Sequence, residues 1–391
     1  MPAESLASVL AGMSPAGSPS TEVRRAREDL ASFLRMAEPR VFRASGGRQR
    51  ELRRLLGWDD ESLDRFIKSP MIIHSSTHVS MNAFAPMLTF PWFCLRLMTE
   101  AAGRLEEKPV HLRTQVTHNN LSDNRWKPHV WWRLDPHGTV TRTQLFSKAP
   151  RFEHQILLSQ PIPDIPAADL GKTDSKAVEL AQNATNFAYF ALIYRMSIER
   201  ACGLHLDDGT IEVPIDLMNV FSLRGSAYAK WRKILYELRL PLRAVTAENE
   251  LRVLSGDEAA NLAAPDPLYP HKTLICHNYI NVGQAYRLGV SVTMGAEKMS
   301  AYEPEMNDIL NNFFSALGED VRIPQFLGVR SIDLDKLAPL RPDIIAELAR
   351  MGGKPSFSIY ADLYADSLPS AFDRALQQAP GDLASIVTRA W

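Results

Sequence analysis

Seven of the ten histidines, His74, His78, His111, His118, His129, His137 and His154, fall between positions 74 and 154. Imidazole is the side chain whose unperturbed pKa lies nearest neutrality, and it is the commonest metal ligand, so this cluster is where chemistry is sought first. His74 and His78 stand four apart, and His118 follows the next apolar stretch with Asp123 close behind. Two chemistries fit these residue types. In the first, His74 and His118 move protons as general acid and base, while Ser75, Ser76, Thr77, His78, Asn119, Asn120 and Asp123 bind a polar substrate by hydrogen bonds. In the second, His74, His78, His118 and Asp123 hold a divalent metal for a hydrolase or oxygenase, although no compact HExxH or HxH spacing is written here. A plainer reading has the serines, threonine and asparagines capping turns.

A second polar group, His277, Asn278 and Asn281, follows a short apolar run ending at Cys276 and suits substrate recognition. Gly295 follows another short apolar run and precedes Glu297 and Lys298, where backbone N–H groups can meet an anion such as a nucleotide phosphate. Neither GxGxxG, nor GxxxxGK with Ser or Thr, nor GxSxG occurs, which disfavours standard dinucleotide, P-loop and serine-hydrolase readings. Cys94, Cys202 and Cys276 lie far apart in apolar contexts. They write neither a disulfide framework nor a metal knuckle, and they suit a cytoplasmic protein.

The elements that must position these residues alternate. Apolar residues at helical spacing predict helices over 21–38, 48–56 and 62–68, with Thr21 as a cap, ahead of a first strand at 71–73. The polar stretch 74–78 then reads as a turn, followed by a helix over 91–105, a strand over 109–116 and a second polar turn at 117–120. Both turns sit at strand carboxyl ends, where open α/β sheets gather ligands. A hairpin is predicted from VWWRL and TVTRTQLF around Asp135-Pro136-His137-Gly138. Long helical runs cover 175–202 and 213–240. Short strands are predicted at 274–276, 291–294 and 357–360, and a helix at 302–317 starts near Pro304. The fold class expected is α/β, a Rossmann-like sheet core with an N-terminal helical segment and a helical insertion. Residues 1–20 read as a flexible arm, 21–68 as helices, and 69–391 as the α/β body with its insertion at about 175–245.

Composition narrows the function classes. The 391 residues carry 44 Lys plus Arg against 45 Asp plus Glu, a net charge of -1, so nothing in bulk electrostatics draws the chain to nucleic acid or anionic lipid. With 45% hydrophobic and 23% charged residues the chain is an ordinary globular one. Pro86, Pro91 and Arg96 interrupt the most apolar window, 81–98, short of a membrane span. The partner expected is a small molecule.

The order of HSSTH, the helix FPWFCLRLMTEAAGRL, the strand PVHLRTQV and the turn THNNLSD resembles the Rossmann-like core of the bacillithiol-type cysteine-adding enzymes. VSVTMGAEKMSAYEPEMNDILNNFF is similar to the glycine-containing strand-to-helix segment of the same family. That resemblance implies a sugar-amine substrate, a nucleotide-like ligand and the joining of metabolites through an amide or thiol adduct. His74 to His78 stand where that family carries a glycine and paired glutamines. From the residues themselves the expected function is a biosynthetic ligase or transferase joining polar amine- or carboxylate-bearing metabolites. The metal-dependent hydrolase or oxygenase and a non-catalytic metabolite- or partner-binding protein are the alternatives.

Overall fold

Three helices precede the first strand: α1 (Thr21–Val41), α2 (Gly46–Leu56) and α3 (Asp60–Lys68). They belong to a computed structural model that describes residues 18–82, 89–103, 105, 107–119, 121, 128–146, 156–166, 169–222, 227–239, 243–245, 251–253, 274–275, 278–329, 338–378 and 387–389. The expected arm at 1–20 lies almost wholly outside the described residues. Ser20, one residue ahead of the expected cap, accepts from the Val23 N–H at 3.2 Å, and Asp59 caps α3. Arg27 of α1 is buried and donates to the carbonyls of Phe66 at 3.1 Å, Ser69 at 2.7 Å and Leu288 at 2.8 Å. This buried cation, pushed down to about 10 by its burial, ties the helical segment to the sheet body.

The chain continues through β1 (Ile72–His78), α4 (Thr89–Ala102), β2 (Val110–Val116) and a hairpin of β3 (Val130–Leu134) and β4 (Val140–Gln144). Helices α5 (Lys172–Ala181) and α6 (Phe187–Ala201) lead into β5 (Thr210–Pro214), followed by α7 (Ile215–Ser222) and α8 (Ala227–Glu237). A small three-stranded sheet joins β6 (Arg243–Val245), β7 (Leu251–Val253) and β8 (Leu274–Ile275). Then come α9 (Asn278–Gly283), β9 (Val292–Ala296), α10 (Glu303–Leu317) and β10 (Gln325–Val329). Last are α11 (Pro342–Arg350), α12 (Phe357–Tyr364), α13 (Leu368–Gln378) and β11 (Val387–Arg389).

The main sheet runs β11-β10-β9-β1-β2-β5, with five parallel strands and β11 antiparallel to β10 at one edge. The chain therefore works outward from β1 through β2 to β5, then returns to lay β9 on the other side of β1. That is a Rossmann-like α/β sheet, and its topological switch point falls between β1 and β9. Helices bury both faces, with Trp58, Trp92, Phe93, Trp131 and Leu112 among the fully enclosed side chains. Each large apolar side chain so enclosed contributes roughly 1.5–3 kcal/mol of hydrophobic stabilisation.

Four local expectations are corrected. Residues 74–78 are not a turn but most of β1. The segment read as a helical insertion contains β5, which pairs in parallel with β2. It is thus part of the sheet's own winding. The run from 175 to 202 is two helices, because Asn186 starts a new one by accepting from the Tyr189 N–H at 3.1 Å. Residues 357–360 open helix α12, with the Ser356 hydroxyl engaged by the Trp132 carbonyl at 3.1 Å. Among the described residues no helix is long and apolar enough to cross a membrane.

Candidate functional site at the carboxyl end of strand β1

A strand alternates its side chains, so His74, Ser76 and His78 share one face of β1 while Ser75 and Thr77 share the other. On the first face His74 is fully buried, with Nδ1 2.8 Å from Thr293 Oγ1 and Nε2 3.1 Å from Thr114 Oγ1. Tyr286 meets its ring edge-on at 5.7 Å between centroids. Burial pushes the His74 pKa down to about 3, so this histidine is a neutral bridge across three strands. The expectation that His74 moves protons in an open crevice is therefore corrected.

The other face holds a chain of buried polar groups. Ser75 Oγ lies 2.8 Å from His111 Nε2, and Thr77 donates to Gln115 Oε1 at 2.8 Å. Gln115 in turn donates to Glu212 Oε2 at 2.5 Å. Arg113 forks onto Glu199 at 2.6 and 3.2 Å and lies 3.1 Å from Glu212, while Arg195 donates to Glu199 at 2.9 Å. All four charged side chains are buried. Burial works to raise Glu199, but the Arg113 and Arg195 guanidiniums overcome it and hold the carboxyl down at about 2. For Glu212 burial outweighs Arg113, and the carboxyl rises to about 7. The same chemistry explains the polar strand: each hydrogen-bonding group that β1 takes into the interior finds a partner on a neighbouring strand, which makes its burial affordable.

Arg195 carries this network to the end of β1, donating to the backbone carbonyl of His78 at 3.0 Å. His78 itself is half-buried. Its Nδ1–H donates to Asn119 Oδ1 at 2.7 Å, and Asn119 Nδ2 donates to the Val79 carbonyl at 3.3 Å. The Asn119 amide is thereby oriented with its oxygen toward the imidazole. Neutral His78 carries its proton on Nδ1, leaving Nε2 as the basic nitrogen. Asn119 is anchored further by its own carbonyl, which accepts from the Leu157 N–H at 3.0 Å. His118 lies beside it, 7% exposed. Below them Thr117 and Tyr189 both donate to Asp216, the tyrosine at 2.5 Å. Asn82 accepts from the Trp132 N–H at 3.2 Å and donates to the Val130 carbonyl, fastening the exit of β1 to the hairpin.

The remaining expected residues distribute as follows. Ser76, next in register toward Gly295, is half-buried on the His78 face. A side chain at Gly295 would meet Met299 Sδ and the Phe326 ring at 2.9 Å, so the glycine there makes room for Phe326. Asn281 is buried on α9, beside Gln284, whose amide donates to Asn219 at 3.1 Å. Asn120, Asp123 and His277 lie outside the described residues, as does the side chain of Asn278.

The proposed metal set does not assemble from its described members. Residues four apart on a strand are about 13 Å apart at Cα, and both ring nitrogens of His74 already face threonine hydroxyls. Among the described residues no group of three or more His, Cys, Asp and Glu is placed to hold a metal ion. Cys94 and Cys202 are buried thiols without disulfides, pushed upward in pKa by burial, Cys202 to about 12. Neither is poised as a nucleophile.

A cavity of about 1210 Å³ lies elsewhere, between the β3–β4 turn, α5, α6 and α12. Its most enclosed carboxyl groups have structural work: Asp362 caps α5 by accepting from the Thr173 N–H at 3.3 Å, and Asp174 behind it accepts from Tyr194 at 2.5 Å and Ser358 at 2.8 Å. The oriented imidazole at the carboxyl end of β1 is the better candidate for chemistry.

Sequence reasoning passed over Arg113, Arg195, Glu199 and Glu212. The signal was present: Arg195 and Glu199 interrupt FAYFALIYRMSIERA four residues apart, and Arg113 and Glu212 sit inside short strands. Charges inside apolar elements are buried pairs far more often than accidents.

Compared with known proteins, the chain matches no protein-family model and no curated sequence.

Proposed function

We propose that the chain is an enzyme of small-molecule biosynthesis, a ligase or transferase that joins polar amine- or carboxylate-bearing metabolites at the carboxyl end of β1. The observation that carries this reading is the His78–Asn119 pair, 2.7 Å apart, across the carboxyl ends of β1 and β2 in a Rossmann-like sheet. His78 replaces His74 as the proton-moving group. In the joining step the amine nitrogen bonds to an electrophilic carbon of the second substrate. His78 Nε2 takes the proton the amine releases and returns it to the departing group, while Asn119 keeps the imidazole in one tautomer. Ser76, on the same face of β1, and His118, beside Asn119, are candidates to orient the substrates. A nucleotide is a candidate ligand at the same strand ends, held without a glycine-rich loop. The similarity in segment order to the cysteine-adding enzymes supports the substrate class, and the free buried thiols suit a cytoplasmic setting.

The experiment is native mass spectrometry of untagged protein for co-purifying metabolites, followed by turnover assays that pair the identified ligand with amine and carboxylate co-substrates. His78→Gln is expected to abolish turnover with little change in melting temperature. Full turnover in that variant removes His78 from the mechanism. A retained ligand with no turnover in any mixture makes the chain a binding protein instead.

A further inference from the structure

A second cleft, of about 810 Å³, opens between α2 and α3. It adjoins the start of β5, since a Cβ on Gly57 would lie 1.8 Å from the Thr210 carbonyl oxygen. β5 runs parallel to β2 and β1, so this cleft is at the opposite end from His78. Its volume falls within the roughly 300–1,000 Å³ of small-molecule sites. Five arginines line it: Arg35, Arg50, Arg53, Arg54 and Arg200.

The lining carboxylates are already engaged. Asp60 pairs with Arg35 at 2.8 Å, Asp207 with Arg200 at 2.7 Å and Glu51 with Arg48 at 3.0 Å, while Asp59 accepts from the Ser62 N–H and hydroxyl at 3.1 and 2.7 Å. Arg53 is neutralised by Glu38 at 2.5 Å. Among the described residues no carboxylate pairs with Arg50 or Arg54, and Asp59, turned to Ser62, is the one lining carboxylate that no cation meets. Arg50 and Arg54 stand four apart on α2, and like charges at that spacing, with Cβ atoms about 5–6 Å apart, repel one another on a helix. An anion bridging the two removes that repulsion and gains two charge-assisted contacts. Guanidinium groups present planar forks suited to phosphate oxygens.

We propose that this cleft binds a small oligoanion bearing two or more phosphate groups, held chiefly by Arg50 and Arg54, at a site separate from the one at His78. A nucleoside triphosphate and a sugar bisphosphate share this chemistry.

The test is titration calorimetry on the full chain with tripolyphosphate, ATP and a sugar bisphosphate at physiological salt. Tripolyphosphate is expected to bind. Binding is expected to weaken at least tenfold in Arg50→Glu/Arg54→Glu and to stay within twofold in Arg24→Glu/Arg25→Glu, which makes the same charge change on α1 outside the cleft. Should charge reversal unfold α2, Arg50→Ala/Arg54→Ala serves as the comparison. ATP binding without bisphosphate binding assigns a nucleotide to the cleft, and the reverse assigns a sugar phosphate. Equal weakening in both variants, no tripolyphosphate binding at millimolar concentration, or heparin binding that tripolyphosphate fails to displace would overturn the proposal.

Discussion

His78 and Asn119 are joined by a 2.7 Å hydrogen bond in which the imidazole Nδ1–H donates to the amide oxygen. Four residues earlier on the same face, His74 is clasped between two threonines. One strand thus presents two histidines in opposite circumstances, one enclosed and neutral, the other half-open and oriented. Substitution separates them. His74→Ala leaves Thr114 and Thr293 facing a void and is expected to cost about 2–4 kcal/mol in urea unfolding. His78→Ala is expected to cost under about 1 kcal/mol. Equal losses would place His78 among the structural residues too.

Asn119 predicts a spectroscopic signature. In wild-type protein the imidazole nitrogen shifts of His78 are expected to report a single Nδ1–H tautomer at high pH. In Asn119→Ala a mixture should appear, weighted toward Nε2–H. An unchanged pattern would mean that another group sets the tautomer.

The ion network invites a harsher test. Glu199→Leu strands Arg195 in the interior and leaves Arg113 with Glu212 alone, and losing one partner of a buried pair costs about 3–5 kcal/mol. Denaturant midpoints read that loss directly. Replacing Glu199 and Arg195 together by apolar residues of similar volume, which keeps the Arg113–Glu212 pair, is expected to recover much of the stability. It would still free the carbonyl of His78 from Arg195.

Two carboxyls make stability depend on pH. Burial first, and the neighbouring Asp362 second, lift Asp174 from 3.8 to about 7, against the opposing influence of Tyr194, Ser358 and Arg133. Burial likewise lifts Glu212 from 4.5 to about 7. At these two carboxyls the native protein keeps protons that the unfolded chain releases, so their contribution to stability falls as pH rises from about 4 to about 7, opposite in sign to that of His74, His111 and His205, which burial keeps neutral. Between pH 5 and pH 8 the melting temperature of the wild type is expected to fall relative to that of Asp174→Asn/Glu212→Gln, in which the histidine contribution is unchanged. An identical pH dependence in both proteins would assign it to other groups.

Much of the fold was legible because most helices carry a single apolar stripe: α1, α3 and α10 announce themselves within a residue or two at their starts. The site was harder. β1 was shortened to its apolar start because an isolated sequence cannot display the partners that allow Ser75, Ser76 and Thr77 to enter a sheet. β5 was lost inside a helical reading because Glu212 breaks its apolar run, and Glu212 is tolerable there only beside Arg113 and Gln115. On sequence His74 stands ahead of His78 as the proton-moving group. Their difference lies in Thr293, 219 positions further along the chain.

That separation bears on how the molecule assembles. β1, β2 and β5 are neighbours in space and come from the first part of the chain, whereas β9 and β10 come from much later. Pairing β1 with β9 closes a loop of about two hundred residues, an entropic cost that grows with loop length and slows folding. The early strands can form a half-sheet of their own, leaving one long flank of β1 bare. Until β9 arrives, the unpaired backbone N–H and C=O groups of that flank stand open to the edges of other copies, so a half-sheet of this chain is the form expected to aggregate.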